Sequence, residues 1–437
     1  MADVHPMTAN RPRGMETAGA ALAVVAAGIA AGAPAWGWVA CALAMVAVAL
    51  VLVGAGDGAR RLPAWGAVAA LLAMSGVSLW VTQTPAETWE RTWQLWADLG
   101  MFWALAVWAR TRRSVALVGA GLAGAGAALA LLSPFVVGWF AERKTFFPPS
   151  IYAAFPRLVS DTVHPNVMAG ALLCGAFIAM AWALWPPRAS AWARWLERLL
   201  AARVLWILAG VLMLLVLFLT KSRGAYGAFL VGIAVLAALA ARRRMALAVV
   251  VLVALALAVG GGLWVRQQGA TESADELEIL DTSSFAFRQR VWHYALLLVG
   301  DFPLTGVGMG GFNVALHDLY GYAAFTEPGA HSLYLQVGLD LGLPGLAALL
   351  ALAAVSLRRA VAGLRALRAA GDGLWPLAAG AIAGMAALFA QGLVDITVWG
   401  TRGGFILCGL LALLYGLGSA ARWAIAAENT ENAGNQR

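Results

Sequence analysis

Apolar residues recur along the chain in twelve stretches, at roughly 16–34, 36–55, 63–83, 92–109, 114–138, 164–185, 204–220, 224–241, 245–265, 331–356, 375–396 and 403–420. Each is about the length that crosses a bilayer as an α-helix, at 1.5 Å rise per residue across ~30 Å of hydrocarbon. In lipid, a helix satisfies its backbone hydrogen bonds internally, so apolar runs of this length predict spanning helices rather than strands. The pattern therefore predicts an all-α integral membrane protein of about twelve transmembrane helices, with residues 1–437 forming one polytopic domain. The first apolar stretch lacks a small-residue cleavage site and reads as a retained helix rather than a signal peptide.

Composition agrees: 62% of the 437 residues are hydrophobic and 12% charged, which an ordinary soluble domain does not show. The net charge of +8 raises nucleic acid as a partner, but the cations sit in short clusters between spans. Arg60/Arg61, Arg110/Arg112/Arg113, Arg188 to Arg203, Arg242 to Arg244 and Arg358 to Arg368 punctuate alternate joins, as the positive-inside rule requires without a polyanion. That alternation puts both termini in the cytoplasm. It also leaves ten cations outside: Arg91, Arg143, Lys144, Arg157, Lys221, Arg223, Arg266, Arg288, Arg290 and Arg402. Cations on the disfavoured face point to an anionic substrate, with Arg91 and Arg266 read as surface anchors. Cys41, Cys174 and Cys408 lie inside apolar spans and read as small buried hydrophobes. No His, Asp, Glu or Cys spacing predicts a metal site, and no cofactor is expected.

Two outer segments are long, 139–163 and 266–330, the second joining the ninth and tenth helices and predicted to carry short helices. Long ordered loops are where function concentrates. The join 186–203 reads as an interfacial amphipathic helix, and the acidic run 272–281 as a solvated face.

Within GAHSLYLQVGLDLGLPGL (329–346), helical spacing puts His331, Leu335, Gly338, Gly342 and Gly345 on one face. His331 has two readings, an interfacial helix cap or a base that takes a proton from a hydroxyl at neutral pH. Asp340 is half a turn away from it and is not paired with it. Arg223 and Lys221 occupy the tight turn LTKSRGAYG, either snorkelling to headgroups or clamping a phosphate, for which the planar guanidinium is suited. Arg288 and Arg290 point about 200° apart on a helix, so one of them faces a site and the other the membrane surface. Asn166, in HPNVMAG, caps the sixth helix or binds a sugar. GVGMGG (306–311) lacks the strand, lysine and acidic partner of a nucleotide loop and reads as a turn or close-packing element.

Taken in order, HPNVMAGALL, KSRGAYGAFLVG, FRQRVWHYALLLVGDFPLTGVGMGGF and HSLYLQVGLDLGLPGL resemble the O-antigen ligase and polymerase family over about 164–350. The resemblance implies a GT-C-type glycosyltransferase bundle in the bacterial inner membrane, its active site facing the periplasm and residues 266–330 forming a large periplasmic loop. It also implies a glycan donor on undecaprenyl diphosphate and in-line, inverting transfer without a metal. By motif position it makes His331 the catalytic residue and assigns Arg223 and Arg288 to the diphosphate, with Lys221 and Arg290 in reserve. Asn166, Tyr334, Arg157 and Arg402 are the further candidates for glycan or acceptor contacts.

The expected reaction is ligation of a polysaccharide en bloc to lipid A–core. The alternative acceptor is another lipid-linked repeat unit, which would make the protein a polymerase. A twelve-helix secondary transporter is the reading from another class, with Asp98 and Asp340 as its intramembrane carboxylates. The sequence carries no sign of oligomeric state.

Overall fold

The computed structural model describes residues 14–55, 64–139, 150–151, 154–156, 162–186, 202–240, 248, 252–253, 285–321, 329–400 and 403–420. Of these, 82% are helical and none lies in a strand. The described helices are α1 (Gly14–Gly32), α2 (Gly37–Ala55), α3 (Trp65–Val81), α4 (Pro85–Trp108), α5 (Arg112–Val136), α6 (Pro165–Leu184), α7 (Arg203–Leu219), α8 (Arg223–Ala240), α9 (Phe285–Asp301), α10 (Phe312–Tyr320), α11 (Leu333–Ala369), α12 (Trp375–Gln391) and α13 (Gly404–Leu417). Six of them, α1, α2, α5, α6, α8 and α11, are long and apolar enough to cross a membrane, and α3, α7, α12 and α13 are shorter apolar helices. This is an α-helical membrane protein.

Eleven of the twelve apolar stretches coincide with a described helix. The stretch 245–265 falls outside the described residues apart from 248 and 252–253, as do the acidic run 272–281 and most of the 186–203 join. α4 begins at Pro85 rather than near 92. Its first turns carry Glu87, Glu90 and Arg91, too polar for an apolar window, and Pro85 at the first position presets the helical φ. Between α8 and α11, α9 and α10 are the two helices described in the 266–330 segment.

Small residues set the closest helix approaches. A Cβ on Gly380 would lie 2.7 Å from the Phe177 carbonyl oxygen, and one on Gly384 would lie 3.2 Å from the Cys174 Cα. This small-xxx-small pair lets α12 pack directly on the backbone of α6, the contact mode available where lipid removes the hydrophobic drive between helices. Cys41, Cys174 and Cys408 are buried free thiols, as their placement in apolar spans implied.

The largest departure from helical expectation is in α11, which is broken at Gly342 (φ 67°, ψ 176°). Pro344 lacks the N–H that a continuous helix would use, and its ring disfavours an unbroken turn before it. The 343→339 hydrogen bond is opened there, and both halves find new partners. Leu343 N–H donates to the Pro303 carbonyl and the Leu339 carbonyl accepts from Val307 N–H, each at 2.7 Å. The segment 303–307 is thus inserted into the helix break, and a Cβ on Gly306 would sit 2.3 Å from the Leu339 oxygen. Gly306, Gly308 and Gly310 all have positive φ (65°, 91° and 85°), which explains the glycine-rich run as a turn rather than a nucleotide loop. The single face drawn through His331, Gly342 and Gly345 does not survive: Gly342 is not helical, and His331 precedes the helix.

Candidate active site

The end of the bundle where α12 stops collects most of the predicted residues. α12 ends at Gln391, and its C-cap Gly392 offers a carbonyl that accepts from Leu333 N–H at 2.7 Å. This bond docks the first turn of α11, and with it His331, on the 391–396 segment.

His331 is half-buried and lies two residues before α11, with φ 46°. Left-handed backbone in a non-glycine residue persists only where its surroundings over-determine it, and such positions cluster at functional sites. The Trp292 indole N–H donates to the His331 carbonyl at 3.3 Å, and the Phe287 ring stands edge-on to the imidazole at 6.0 Å between centroids. Both come from α9, which therefore forms one wall around the histidine.

Arg288 lies between those two aromatics on α9, one turn from Trp292. Its Nη2 is 3.9 Å from Asp395 Oδ2, and its buried Nε has no hydrogen-bond partner among the described residues. Asp395 is 7% exposed and holds itself in place by accepting from Ile396 N–H at 2.8 Å. Through Asp395, Arg288 reaches the segment docked to His331. Arg290 is half-buried on the same helix.

Arg223 is the exposed first residue of α8. The turn before it is built by its own polar residues. Thr220 Oγ1 donates to the Leu217 carbonyl at 2.6 Å, Lys221 takes φ 50°, and Ser222 Oγ accepts from Ala225 N–H at 3.4 Å. Tyr226 closes it by donating its hydroxyl to the Phe218 carbonyl at 2.5 Å. Gly224 faces the end of α12, where a Cβ would lie 2.6 Å from Val394 Cγ2 and 3.2 Å from Gln391 Oε1. The Ser-Arg turn, Arg288 and the His331 turn are therefore all fastened to residues 391–396.

Other predicted residues fall elsewhere. Asn166 does not cap α6: the cap is His164, whose Nδ1 accepts from Asn166 N–H at 3.1 Å, because Pro165 takes the first helical position. Asn166 itself is buried at the second. Tyr334 donates its hydroxyl to the Phe389 carbonyl at 2.9 Å, a tie between α11 and α12. Arg157, Arg402, Arg143, Lys144 and Arg266 lie outside the described residues. Arg91 is not a surface anchor: its side chain is 17% exposed and pairs with Glu87 at 2.5 Å. It also lines a cavity of about 20 Å³ with Asp98, Trp399 and Cys408, roughly one water in size. Among the described residues no group of three His, Cys, Asp or Glu is placed to hold a metal ion.

Asp395 and Gln391 are candidate-site residues that the sequence analysis did not single out. The available signal was the polar interruption QGLVD at the end of an otherwise apolar span. Gln391 is fully buried, with both amide atoms lacking a partner among the described residues.

Residues 208–350 match the protein family described as O-antigen ligase. Over this stretch, about a third of the chain, the protein is similar to the O-antigen ligase family. The matched ligase-family domain runs from within α7 through the break in α11, so it contains Lys221, Arg223, Arg288, Arg290, His331 and Tyr334. It omits HPNVMAG at the start of α6, and it omits the 391–396 segment to which the domain's own candidate residues are docked. No curated protein matches the chain.

Proposed function

We propose that this protein is a glycosyltransferase that moves a polysaccharide en bloc from undecaprenyl diphosphate to a hydroxyl of lipid A–core at the periplasmic face of the inner membrane. The bundle is read as a twelve-helix GT-C-type fold with both termini cytoplasmic. The observation that carries the reading is the convergence of three family motifs, around Arg223, Arg288 and His331, on the single segment 391–396.

In this reading the acceptor hydroxyl oxygen attacks the anomeric carbon on the face opposite the diphosphate. The bond between that carbon and the diphosphate oxygen breaks, its electron pair leaves with undecaprenyl diphosphate, and the hydroxyl proton passes to His331. Attack from the opposite face inverts the anomeric centre. The charge growing on the leaving diphosphate is met by Arg288, whose Nε is a donor with no described partner, and by Arg223. Arg223 stands at the N-terminus of α8, where helix dipole and exposed N–H groups also favour an anion. Such preorganised donors are worth roughly 10²–10³ in turnover each. Lys221, in the turn before α8, and Arg290, on α9, add positive charge.

The test uses purified protein, a lipid-linked glycan donor and two acceptors offered separately. His331→Ala and Arg288→Ala are expected to abolish product while the protein remains folded, and full activity in either sinks the assignment. Product on lipid A–core but not on lipid-linked repeat units supports ligation. The reverse makes the protein a polymerase.

A further inference from the structure

Residues 330–333 are each tied down through a backbone N–H or carbonyl, and Gln336 accounts for two of the four ties, one by its backbone and one by its side chain. Gln336 N–H donates to the Ser332 carbonyl at 2.9 Å, as the first turn of α11. The Gln336 side-chain oxygen, Oε1, accepts from Ala330 N–H, also at 2.9 Å. Gln336 therefore brackets His331 on both sides, while Trp292 holds the His331 carbonyl and Gly392 holds Leu333 N–H. These bonds are what keep the histidine's backbone in the left-handed region.

Gln336 can do this only if its amide is the right way round, and Asp340 decides that. One turn further along α11, Asp340 Oδ1 accepts from Gln336 Nε2 at 2.8 Å, which leaves Oε1 to face Ala330. Asp340 is completely buried and its oxygens are otherwise occupied. Oδ2 accepts from the Trp399 indole at 2.9 Å, and Oδ1 from Gly310 N–H at 3.4 Å. Among the described residues the charged group facing it is Arg91, whose Nη1 lies with Asp340 Oδ2 within 4 Å of a Cβ position on Gly400, and Arg91 is itself paired with Glu87. A buried carboxylate so engaged cannot turn to another acceptor role without losing several donors at once. Only a group that accepts and donates can link a backbone N–H to this carboxylate, and the carboxamide does both.

We infer that Gln336 and Asp340 are positioning residues for His331, forming a carboxylate–carboxamide clamp that sets the backbone from which the imidazole projects. The inference rests on His331 acting on substrate as proposed above. Its physical core is that a misplacement of about 1 Å at a reacting group costs on the order of 10²-fold in rate.

The test compares the full-length protein with Gln336→Met, which keeps volume but neither accepts nor donates. Turnover per folded molecule is expected to fall roughly 10–100-fold with the donor KM within about threefold of wild type. Hydrogen exchange at the Ala330 amide is expected to accelerate. Asp340→Asn, which removes one acceptor from the cluster, should shift both readouts the same way by less. Gln336→Glu provides a rescue: ionised, it opposes Asp340, whereas protonated it accepts from Ala330 and donates to Asp340. Its activity relative to wild type should therefore rise as pH falls. Wild-type turnover in folded Gln336→Met, or an Ala330 amide that exchanges no faster in either variant, overturns the clamp. Full activity in His331→Ala would remove the catalytic reading instead, and the exchange measurement still decides whether the clamp exists.

Discussion

Arg288 on α9 and Asp395 beyond the end of α12 stand 3.9 Å apart, a loose ion pair between two half-buried or buried side chains. At that separation the carboxylate orients the guanidinium without saturating it. Arg288→Ala is expected to reduce transfer by roughly 10²–10³-fold, the effect of losing one preorganised donor to a developing anion. Arg288→Lys should recover little, because a single ammonium lacks the fork that binds two phosphate oxygens. Asp395→Asn should cost less than Arg288→Ala, since it frees the arginine rather than removing it. Steady-state transfer assays on folded protein check all three, and an Asp395→Asn defect larger than that of Arg288→Ala would assign the carboxylate a direct part in the reaction.

The break in α11 should be intolerant of any side chain. Gly342→Ala puts a Cβ 2.5 Å from the Leu304 carbonyl oxygen in a backbone region that essentially only glycine adopts. Strain and overpacking together predict a loss of roughly 2–6 kcal/mol. Gly371→Ala is the comparison without overpacking, because Gly371 has positive φ (62°) but nothing within 4 Å of its Cβ position. It should cost about 1–2 kcal/mol. Thermal unfolding in detergent measures both. Equal losses would mean that the insertion of 303–307 into α11 does not constrain Gly342.

Tyr334 was a candidate glycan contact, and its hydroxyl is already engaged with Phe389. Tyr334→Phe is expected to keep turnover within about twofold and to lower stability by about 0.5–1.5 kcal/mol. Lost transfer with unchanged stability would return the hydroxyl to the substrate.

Tyr320 at the end of α10 donates its hydroxyl to Asp301 at the end of α9, and that bond, with burial and the carboxylate's charge, pushes the phenol up to about 12 from 10.0. The folded state thus holds the proton more tightly than the unfolded one. The tie contributes its full stability below pH 10 and loses it as pH rises through about 12. The tyrosinate absorbance of wild type minus Tyr320→Phe should show no titration at pH 10. A difference curve centred there would mean the α9–α10 tie is absent in solution.

The spans were legible because burial in lipid imposes one simple demand, uninterrupted apolar length, and α1, α2, α5 and α6 begin and end within a few residues of where the apolar runs do. α4 and α11 were misjudged at their polar ends for the same reason: helix continues there by packing, after hydropathy stops reporting it. The glycine run 306–311 was legible as a turn from what it lacked, but its partner, the opened bond between Leu339 and Leu343, was not.

By itself the sequence determined the membrane class, the approximate spans, the family resemblance and the residue types, a histidine and arginines, that the proposed transfer would use. Those depend on composition, local order and side-chain chemistry, which the chain carries linearly. Tertiary structure alone decided that Arg288 stands beside Asp395, and that His164 rather than Asn166 caps α6. It also decided that Arg91 turns inward and that Asp340 is joined to His331 through Gln336 and the backbone. The helical angle drawn between His331 and Asp340 does not apply, because His331 precedes the helix. The connection exists because a helix that starts after a left-handed residue, and breaks nine residues later, folds its polar groups back on its own beginning.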